Sequence, residues 1–293
     1  MTKINTQTCH FCGSKDIRDF FNDSKNNAIY YKCIKCGLIW LDPEKRIDNA
    51  HNYYSNVYYK EGFSGRENID AAFSYRFRFI DKYMNRAGSL LEVGAASGDF
   101  LHLLKYRGFT VYGVEVSRRA ASVARERYGL NIFCGTLNEA EFPDNFFDNI
   151  VAYHVLEHVF DPQSFLKEAY RILKPGGALL IEVPNPTGFD ARISRRLLKN
   201  ILDFPNHSYL FPPKLFQNML KDAGFTIITL ETSFSFFIAS FINKLRFYIK
   251  GSQHKQSSRN VYAKQGINVK HRTLLKFFSR FFTGMKLTAM VKK

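Results

Sequence analysis

The chain has 293 residues, 45% of them hydrophobic and 23% charged, and a net charge of +16. That length accommodates one large core plus a small accessory module, because single domains usually run to about 100–200 residues. It contains no window of roughly 20 uninterrupted apolar residues and no apolar signal-peptide core at the N-terminus, so a cytoplasmic protein without a membrane-spanning helix is expected.

The first grouped feature is cysteine. Cys9-His-Phe-Cys12-Gly and Cys33-Ile-Lys-Cys36-Gly are two Cys-x-x-Cys-Gly turns with 20 residues between them. Tetrahedral zinc takes four thiolates, and Cys-x-x-Cys lets two come from one tight turn. The spacing predicts a structural zinc ribbon over residues 1–45 whose Cys9, Cys12, Cys33 and Cys36 leave no coordination position open for catalysis. A pair of redox dithiols is the alternative. The fifth cysteine, Cys134, sits in an apolar run and reads as a buried core thiol.

Residues 46–86 read as a polar, tyrosine-rich linker followed by a covering helix, in which Ile69, Phe73, Phe77, Ile80 and Met84 recur at spacings of three and four. A regular alternation follows over residues 87–233. Strand Leu90–Val93 leads to a helix from Phe100, strand Val111–Val116 to a helix N-capped by Ser117, and a short strand lies at Ile132–Cys134. Strand Ile150–Val155 leads to a helix opened by Asp161-Pro162 and stopped at Gly176-Gly177, and strand Ala178–Val183 comes next. Helix Lys214–Ala223 and strand Thr226–Glu231 add a further unit, and residues 286–291 read as a last strand. Continuous apolar strands alternating with amphipathic helices predict a doubly wound, Rossmann-like α/β domain with a seven-stranded sheet. Residues 234–284 form an insertion that is aromatic and basic together, read as helical, before the final strand over 285–293.

In such a sheet, ligands bind beyond the C-terminal ends of the strands. Gly94 and Gly98 fall at the first such end, and Glu115 closes the second strand, 21 residues after Gly94, where a carboxylate is placed to take both hydroxyls of a ribose. A dinucleotide fingerprint starting at Gly94 needs glycine at 96 and 99, but the chain has Ala96 and Asp99. An aspartate at that helix start also repels a pyrophosphate. A cofactor with a ribose and no phosphate fits better, S-adenosylmethionine among them.

Leu91-Glu-Val-Gly-Ala-Ala-Ser-Gly98 resembles the first motif of class I S-adenosylmethionine-dependent methyltransferases, with Ala96 in place of its middle glycine. Phe147-Asp-Asn-Ile-Val-Ala-Tyr-His-Val-Leu-Glu-His158 and Leu173-Lys-Pro-Gly-Gly-Ala-Leu-Leu-Ile181 resemble the same family's fourth-strand motif and the segment entering its fifth strand. The resemblance implies a methyltransferase whose cofactor-binding set is Glu92, Gly94, Ala96, Gly98, Glu115, Val116, Leu137 and His154. The lead Cys33-Ile-Lys-Cys-Gly-Leu-Ile-Trp-Leu-Asp-Pro43 is similar to that of zinc-ribbon sugar methyltransferases of bacterial glycan clusters, which implies a nucleotide- or lipid-linked sugar as acceptor.

Three residues are expected at the acceptor. Glu157 and His158 follow the fourth strand, and Pro205-Asn-His207-Ser-Tyr209-Leu-Phe211 resembles the family's segment over the acceptor site, in which His207 matches a candidate base. Asn206 stands where a glutamate is common, and an asparagine orients a hydroxyl but takes no proton. His154-Val-Leu-Glu157-His158 also satisfies the His-x-x-Glu-His pattern of inverted zinc proteases, which belongs on a helix, whereas His154 here closes a strand.

Charge locates the partner. Residues 186–293 carry 19 Lys or Arg against four Asp or Glu, whereas residues 87–185 carry nine against 12. The last third is therefore where an anionic substrate or an anionic membrane surface is expected. RNA is the alternative acceptor, because aromatics interleaved with Lys and Arg also suit stacking on bases. The fourth strand, however, ends without the Asn/Asp-Pro-Pro-Tyr/Phe motif that grips a base.

Overall fold

The computed structural model describes residues 8–47, 50–58, 69–188, 191, 195–233 and 286–293, so the aromatic and basic segment over 234–284 lies outside the described residues. The N-terminal part is an antiparallel meander of β1 (Ile17–Asp23), β2 (Ala28–Cys33) and β3 (Ile39–Leu41). Asn26 helps close the β1–β2 turn: its amide side chain donates to Asp23 Oδ2 at 2.8 Å and its backbone N–H to the Asp23 carbonyl. After β3 come a short helix, α1 (Ala50–Tyr53), one turn of π-helix over Tyr54–Tyr58, and then α2 (Ile69–Tyr83). Phe73, Phe77, Ile80 and Met84 of the predicted apolar ridge are buried, as expected.

The core alternates as the periodicity predicts, through β4 (Ser89–Val93), α3 (Asp99–Tyr106), β5 (Thr110–Glu115), α4 (Arg118–Tyr128), β6 (Ile132–Cys134), β7 (Phe147–Tyr153), α5 (Pro162–Ile172) and β8 (Leu173–Pro184). After β8 come α6 (Arg195–Leu202), β9 (Tyr209–Leu210), α7 (Pro213–Asp222), β10 (Thr226–Ser233) and β11 (Lys286–Lys292). The large sheet has the order β10-β11-β8-β7-β4-β5-β6, with β4 to β8 mutually parallel and β11 antiparallel to both β8 and β10. This is the Rossmann-like seven-stranded fold that the sequence implies. Apolar clusters cover both faces of the sheet: α2 and α3 pack on one, α5 and α7 on the other.

Two expectations need correction. The helix before β8 stops at Ile172 and not at the glycine pair: Leu173 is already extended (ψ 140°) and buried, so Gly176-Gly177 lies within the early part of β8. Cys134 is half-buried at the edge strand β6 instead of sealed in the core. The sequence reading also missed a connection between the two sheets. β9 leaves the region of the large sheet and pairs antiparallel with β3 (Ile39 with Leu210, Trp40 with Tyr209), so the N-terminal sheet is completed by residues 170 positions downstream in the chain order Ile39 to Tyr209.

Candidate active site

From β4 the chain runs outward through β5 to the edge strand β6 and then returns to β7 on the other side of β4. The crevice for a ligand therefore lies beyond the C-terminal ends of β4 and β7. Beyond β4, the amides of Gly94 and Ala95 both donate to the Val114 carbonyl (2.8 and 3.1 Å), which ties the turn back onto β5. Ala96 follows with φ +48°, in the left-handed region that costs a residue with a Cβ about 1–2 kcal/mol. Its amide donates to Glu115 Oε2 at 2.8 Å, and Ser117 N–H donates to Glu115 Oε1 at 2.8 Å. An ionised carboxylate has about four acceptor sites, so two backbone donors leave room for a diol. Gly98, at φ +78°, serves packing as well as the turn: a Cβ there would lie 2.8 Å from the Ala124 Cβ of α4.

Glu92 points from β4 into the same region. It is buried, and its Oε2 has no hydrogen-bond partner among the described residues. Burial pushes its carboxyl pKa up to about 8, against the pull of the Arg76 guanidinium. Arg76 is a residue that the sequence reading missed. It lies three positions after Phe73 and four before Ile80, on the buried face of α2, where a charge is rare unless it has a function or a partner. Its guanidinium lies 3.9 Å from the centroid of the Tyr153 ring, with Phe73 and Phe100 at 4.9 and 5.0 Å. The orphaned Glu92 oxygen, the spare acceptor sites of Glu115 and the Arg76 cation together fit a ligand with a ribose, an amino group and a carboxylate. Val116 borders this region and Leu137 is buried in the core.

Beyond β7 the structure gathers all three expected acceptor-site residues. The Glu157 carboxylate is fully buried, and its Oε1 lies 3.9 Å from both His158 Nε2 and His207 Nε2. Its Oε2 has no hydrogen-bond partner among the described residues. His158 Nδ1 lies 2.8 Å from the Asn206 carbonyl, and His207 Nδ1 lies 2.5 Å from the Ile201 carbonyl. A carbonyl only accepts, so each Nδ1 carries a hydrogen, and each Nε2 lies on the Glu157 side of its ring. The ring centroids are 4.8 Å apart. Burial lowers the His158 pKa and keeps it neutral, with Glu157 acting in the opposite sense. Two imidazoles and a carboxylate within 4.8 Å of one another form an acid–base cluster, and the same donor set suits a divalent metal.

His154 is placed differently. It adopts φ +56° directly after β7, with Nδ1 3.1 Å from Glu157 Oε1 and Nε2 3.2 Å from Glu182 Oε1. Burial opposes its charge, but Glu157 and Glu182 outweigh that and raise its pKa to about 9. His154 is thus an imidazolium held between two carboxylates. The segment 154–158 is a turn, not the helix that a zinc protease requires.

The stretch read as a linker crosses this site. His51 Nδ1 donates to the Val116 carbonyl (3.0 Å), and Tyr53 donates its hydroxyl to Asn206 Oδ1 (2.8 Å). Tyr54 places its hydroxyl 3.0 Å from His158 Nδ1, and Ser55 Oγ accepts the Arg118 amide (2.9 Å). The clustered tyrosines were the available signal.

The four cysteines of the N-terminal part also converge. Cys9 Sγ lies 3.6 Å from Cys36 Sγ and Cys12 Sγ lies 3.5 Å from Cys33 Sγ, with all four sulfurs within 4.8 Å. Zn–S bonds of about 2.3 Å in a tetrahedron put sulfurs roughly 3.8 Å apart, so the set fits zinc. The amides of Gly13 and Gly37 close the two turns onto the carbonyls of Cys9 and Cys33.

The chain is similar to several known proteins. It is 36% identical over 117 residues to a demethylmenaquinone methyltransferase of Tropheryma whipplei, covering 39% of this chain and 49% of that protein. It is 27% identical over 169 residues to a ubiquinone biosynthesis O-methyltransferase of Chromobacterium violaceum, covering 53% of this chain and 72% of that protein. The chain thus spans about half the length of the Tropheryma relative. Among solved structures, phosphoethanolamine N-methyltransferase 2 of Haemonchus contortus in complex with S-adenosyl-L-methionine superposes with a TM-score of 0.57 at 18% identity, over 92% of this chain and 65% of that one, which establishes the shared fold. Residues 66–230, more than half of the chain, match the methyltransferase-domain family, and the chain belongs to that family.

Proposed function

We propose that the chain transfers the methyl group of S-adenosylmethionine to a hydroxyl of an anionic small molecule, a nucleotide- or lipid-linked sugar. The observation that carries this reading is the placement of two sites at the ends of adjacent strands: the Glu115-held turn after β4 and the buried Glu157–His158–His207 cluster after β7. Glu92, the backbone from Gly94 to Gly98, Glu115, Val116 and Leu137 would hold the cofactor, with Arg76 available to its carboxylate. Bound there, S-adenosylmethionine supplies a sulfonium-activated methyl carbon.

The chain's own residues then align the acceptor and take its proton. Alignment contributes roughly 7–11 kcal/mol. His207 or His158 accepts the hydroxyl proton on its Nε2 lone pair, and the Glu157 carboxylate stabilises the imidazolium that forms. A positioned base contributes about 10²–10⁴-fold. Asn206, tied to Tyr53, orients the acceptor. The four cysteines hold a structural zinc.

The sugar class rests on the resemblance of the cysteine-rich lead and on the basic last third; the demethylmenaquinone and ubiquinone-biosynthesis methyltransferases among the relatives point instead to quinone precursors. Incubation with labelled methyl donor and separate nucleotide-sugar, lipid-linked glycan, phenolic and RNA fractions decides between them. Label in a sugar fraction is expected, and label confined to the phenolic or RNA fraction overturns the sugar acceptor. Wild-type turnover on the true acceptor in both His207→Ala and His158→Ala rules out a histidine base.

A further inference from the structure

The four-cysteine module is bonded to the chain on both sides of His207. His207 lies between two elements, α6 on its N-terminal side and β9 on its C-terminal side, and the module grips both. The last turn of α6 supplies the Ile201 carbonyl that fixes the His207 tautomer. Ile201 and Leu202 are buried against Phe21, Tyr30 and Leu41 of the N-terminal sheet, and the Tyr30 hydroxyl donates to the Leu202 carbonyl at 3.0 Å. An ion pair of 2.8 Å joins Lys199 of α6 to Asp23 of β1.

On the other side, β9 pairs with β3, and the Leu41 amide donates to the Ser208 carbonyl at 3.0 Å. The amides of Ser208 and Tyr209 both donate to the Glu157 carbonyl (2.9 and 3.1 Å). One residue joins all the parts. The Tyr209 hydroxyl accepts from Arg46 Nη1 (2.7 Å) and donates to the Phe160 carbonyl (3.1 Å). Its ring carries the Arg46 guanidinium at 4.3 Å and lies 5.1 Å from the ring of His10, which belongs to the first cysteine turn.

We propose that the four-cysteine module is a working part of the active site, setting the position and tautomer of His207 through α6 and β9, with Tyr209 as the positioning residue that transmits the cysteine turn to the Glu157–Phe160 loop. The inference rests on the reading above that His207 acts at the acceptor. Neither Tyr209 nor any cysteine needs to touch the reactants. Their role is to keep a lone pair aimed, and a misplacement of about 1 Å costs on the order of 10²-fold in rate.

The test uses the full chain and two variants, Tyr209→Phe and Cys12→Ser, with three readouts. The first is the ¹H–¹⁵N signal of the His207 imidazole, which reports the Nδ1–H tautomer without any acceptor. The second is calorimetric binding of S-adenosylmethionine, and the third is turnover. In Cys12→Ser the His207 Nδ1–H signal should broaden or vanish, and in Tyr209→Phe it should shift. Turnover should fall about 10- to 100-fold, with cofactor affinity held within about twofold. An unchanged imidazole signal and unchanged turnover in Tyr209→Phe overturn the proposal. Loss of cofactor binding in Tyr209→Phe overturns it too, by showing that the residue supports the whole fold. If His207→Ala keeps wild-type turnover while the imidazole signal still responds to Tyr209→Phe, the base assignment fails and the structural coupling stands.

Discussion

The carboxylate of Glu115 and the amide of Ala96 are joined by a hydrogen bond of 2.8 Å, which locks the turn after β4 onto the end of β5. The same side chain also holds Ser117 N–H, so its removal leaves two amide donors to find new partners. Hydrogen bonds to a charged group contribute about 1.5–3 kcal/mol each. Glu115→Ala should therefore weaken S-adenosylmethionine binding by well over tenfold in calorimetry, and Glu115→Gln by less because one acceptor oxygen survives. Equal affinity in wild type and Glu115→Ala would contradict the cofactor assignment.

Ala96 gives a prediction of the opposite sign. Its φ of +48° is strained for any residue with a Cβ, and glycine adopts it freely. Ala96→Gly should relieve part of about 1–2 kcal/mol of strain, offset in part by the larger entropy of the unfolded chain. Denaturant midpoints should move up slightly or stay level. A loss of more than about 1 kcal/mol would mean that the alanine methyl makes packing contacts that outweigh the strain.

Glu92 makes stability depend on pH. Burial pushes its pKa up to about 8, whereas the unfolded chain titrates near 4.5. Below about 4.5 the group is protonated in both states and contributes no difference. Between about 4.5 and 8 the unfolded chain loses the proton more readily, so stability falls as pH rises, and above 8 the loss is complete. Glu92→Gln keeps the neutral form and should flatten the melting-temperature profile across pH 5–8. An unchanged slope would show that Glu92 is ionised throughout.

Removing metal from the four cysteines tests their role directly. Sulfur contacts of 3.5 and 3.6 Å leave thiols crowded together unless a cation bonds them, and Cys9 already has a pKa lowered to about 5 by the neighbouring Cys36 thiol. A chelator should release one zinc per chain from this set and lower the melting temperature, because structural zinc binding is coupled to folding. Titration of the released metal with a chromophore gives the count; a preparation carrying no zinc at the cysteines, with an unchanged melting curve after chelation, would leave them as free thiols.

How much of this was legible beforehand follows from which interactions are local. The order of strands and helices was readable because each apolar run or ridge is a short-range pattern, as in Phe165, Leu166, Ala169 and Ile172 of α5. The β4 turn was readable because Glu92, Gly94, Ala96, Gly98 and Glu115 lie within 24 residues. Glu157, His158 and His207 were each assigned to the acceptor by motif, but their mutual geometry was not readable, since about 50 residues separate His207 from the other two and the β9 connection brings them together. The pairing of β3 with β9 carries no sequence signature, because two residues are too short for a period. Arg76 was hidden inside a hydrophobic ridge that otherwise predicts packing alone, and the tyrosines over His158 sat in a stretch without periodicity.

His154 supplies the last test. Its imidazolium bridges Glu157 Oε1 at 3.1 Å and Glu182 Oε1 at 3.2 Å, and Glu182 is held further by Lys286 (3.0 Å) and Thr288 (3.0 Å). Burial alone would lower its pKa; the two carboxylates raise it to about 9, above the unfolded value near 6.5. Its contribution to stability is therefore fully present below about 6.5 and is lost as pH rises through 9. In His154→Ala two buried carboxylates lose a shared cation, and breaking a buried pair in this way costs roughly 3–5 kcal/mol. Lys286 still faces Glu182, so the damage should fall mainly on Glu157, whose carboxyl pKa should rise, and His158, relieved of the His154 charge, should become more basic. The variant should melt lower at pH 6–7, and its deficit against wild type should shrink between pH 8 and 10. A deficit that is constant across that range would show that residue 154 is neutral in the folded protein and that Glu157 is stabilised by other means.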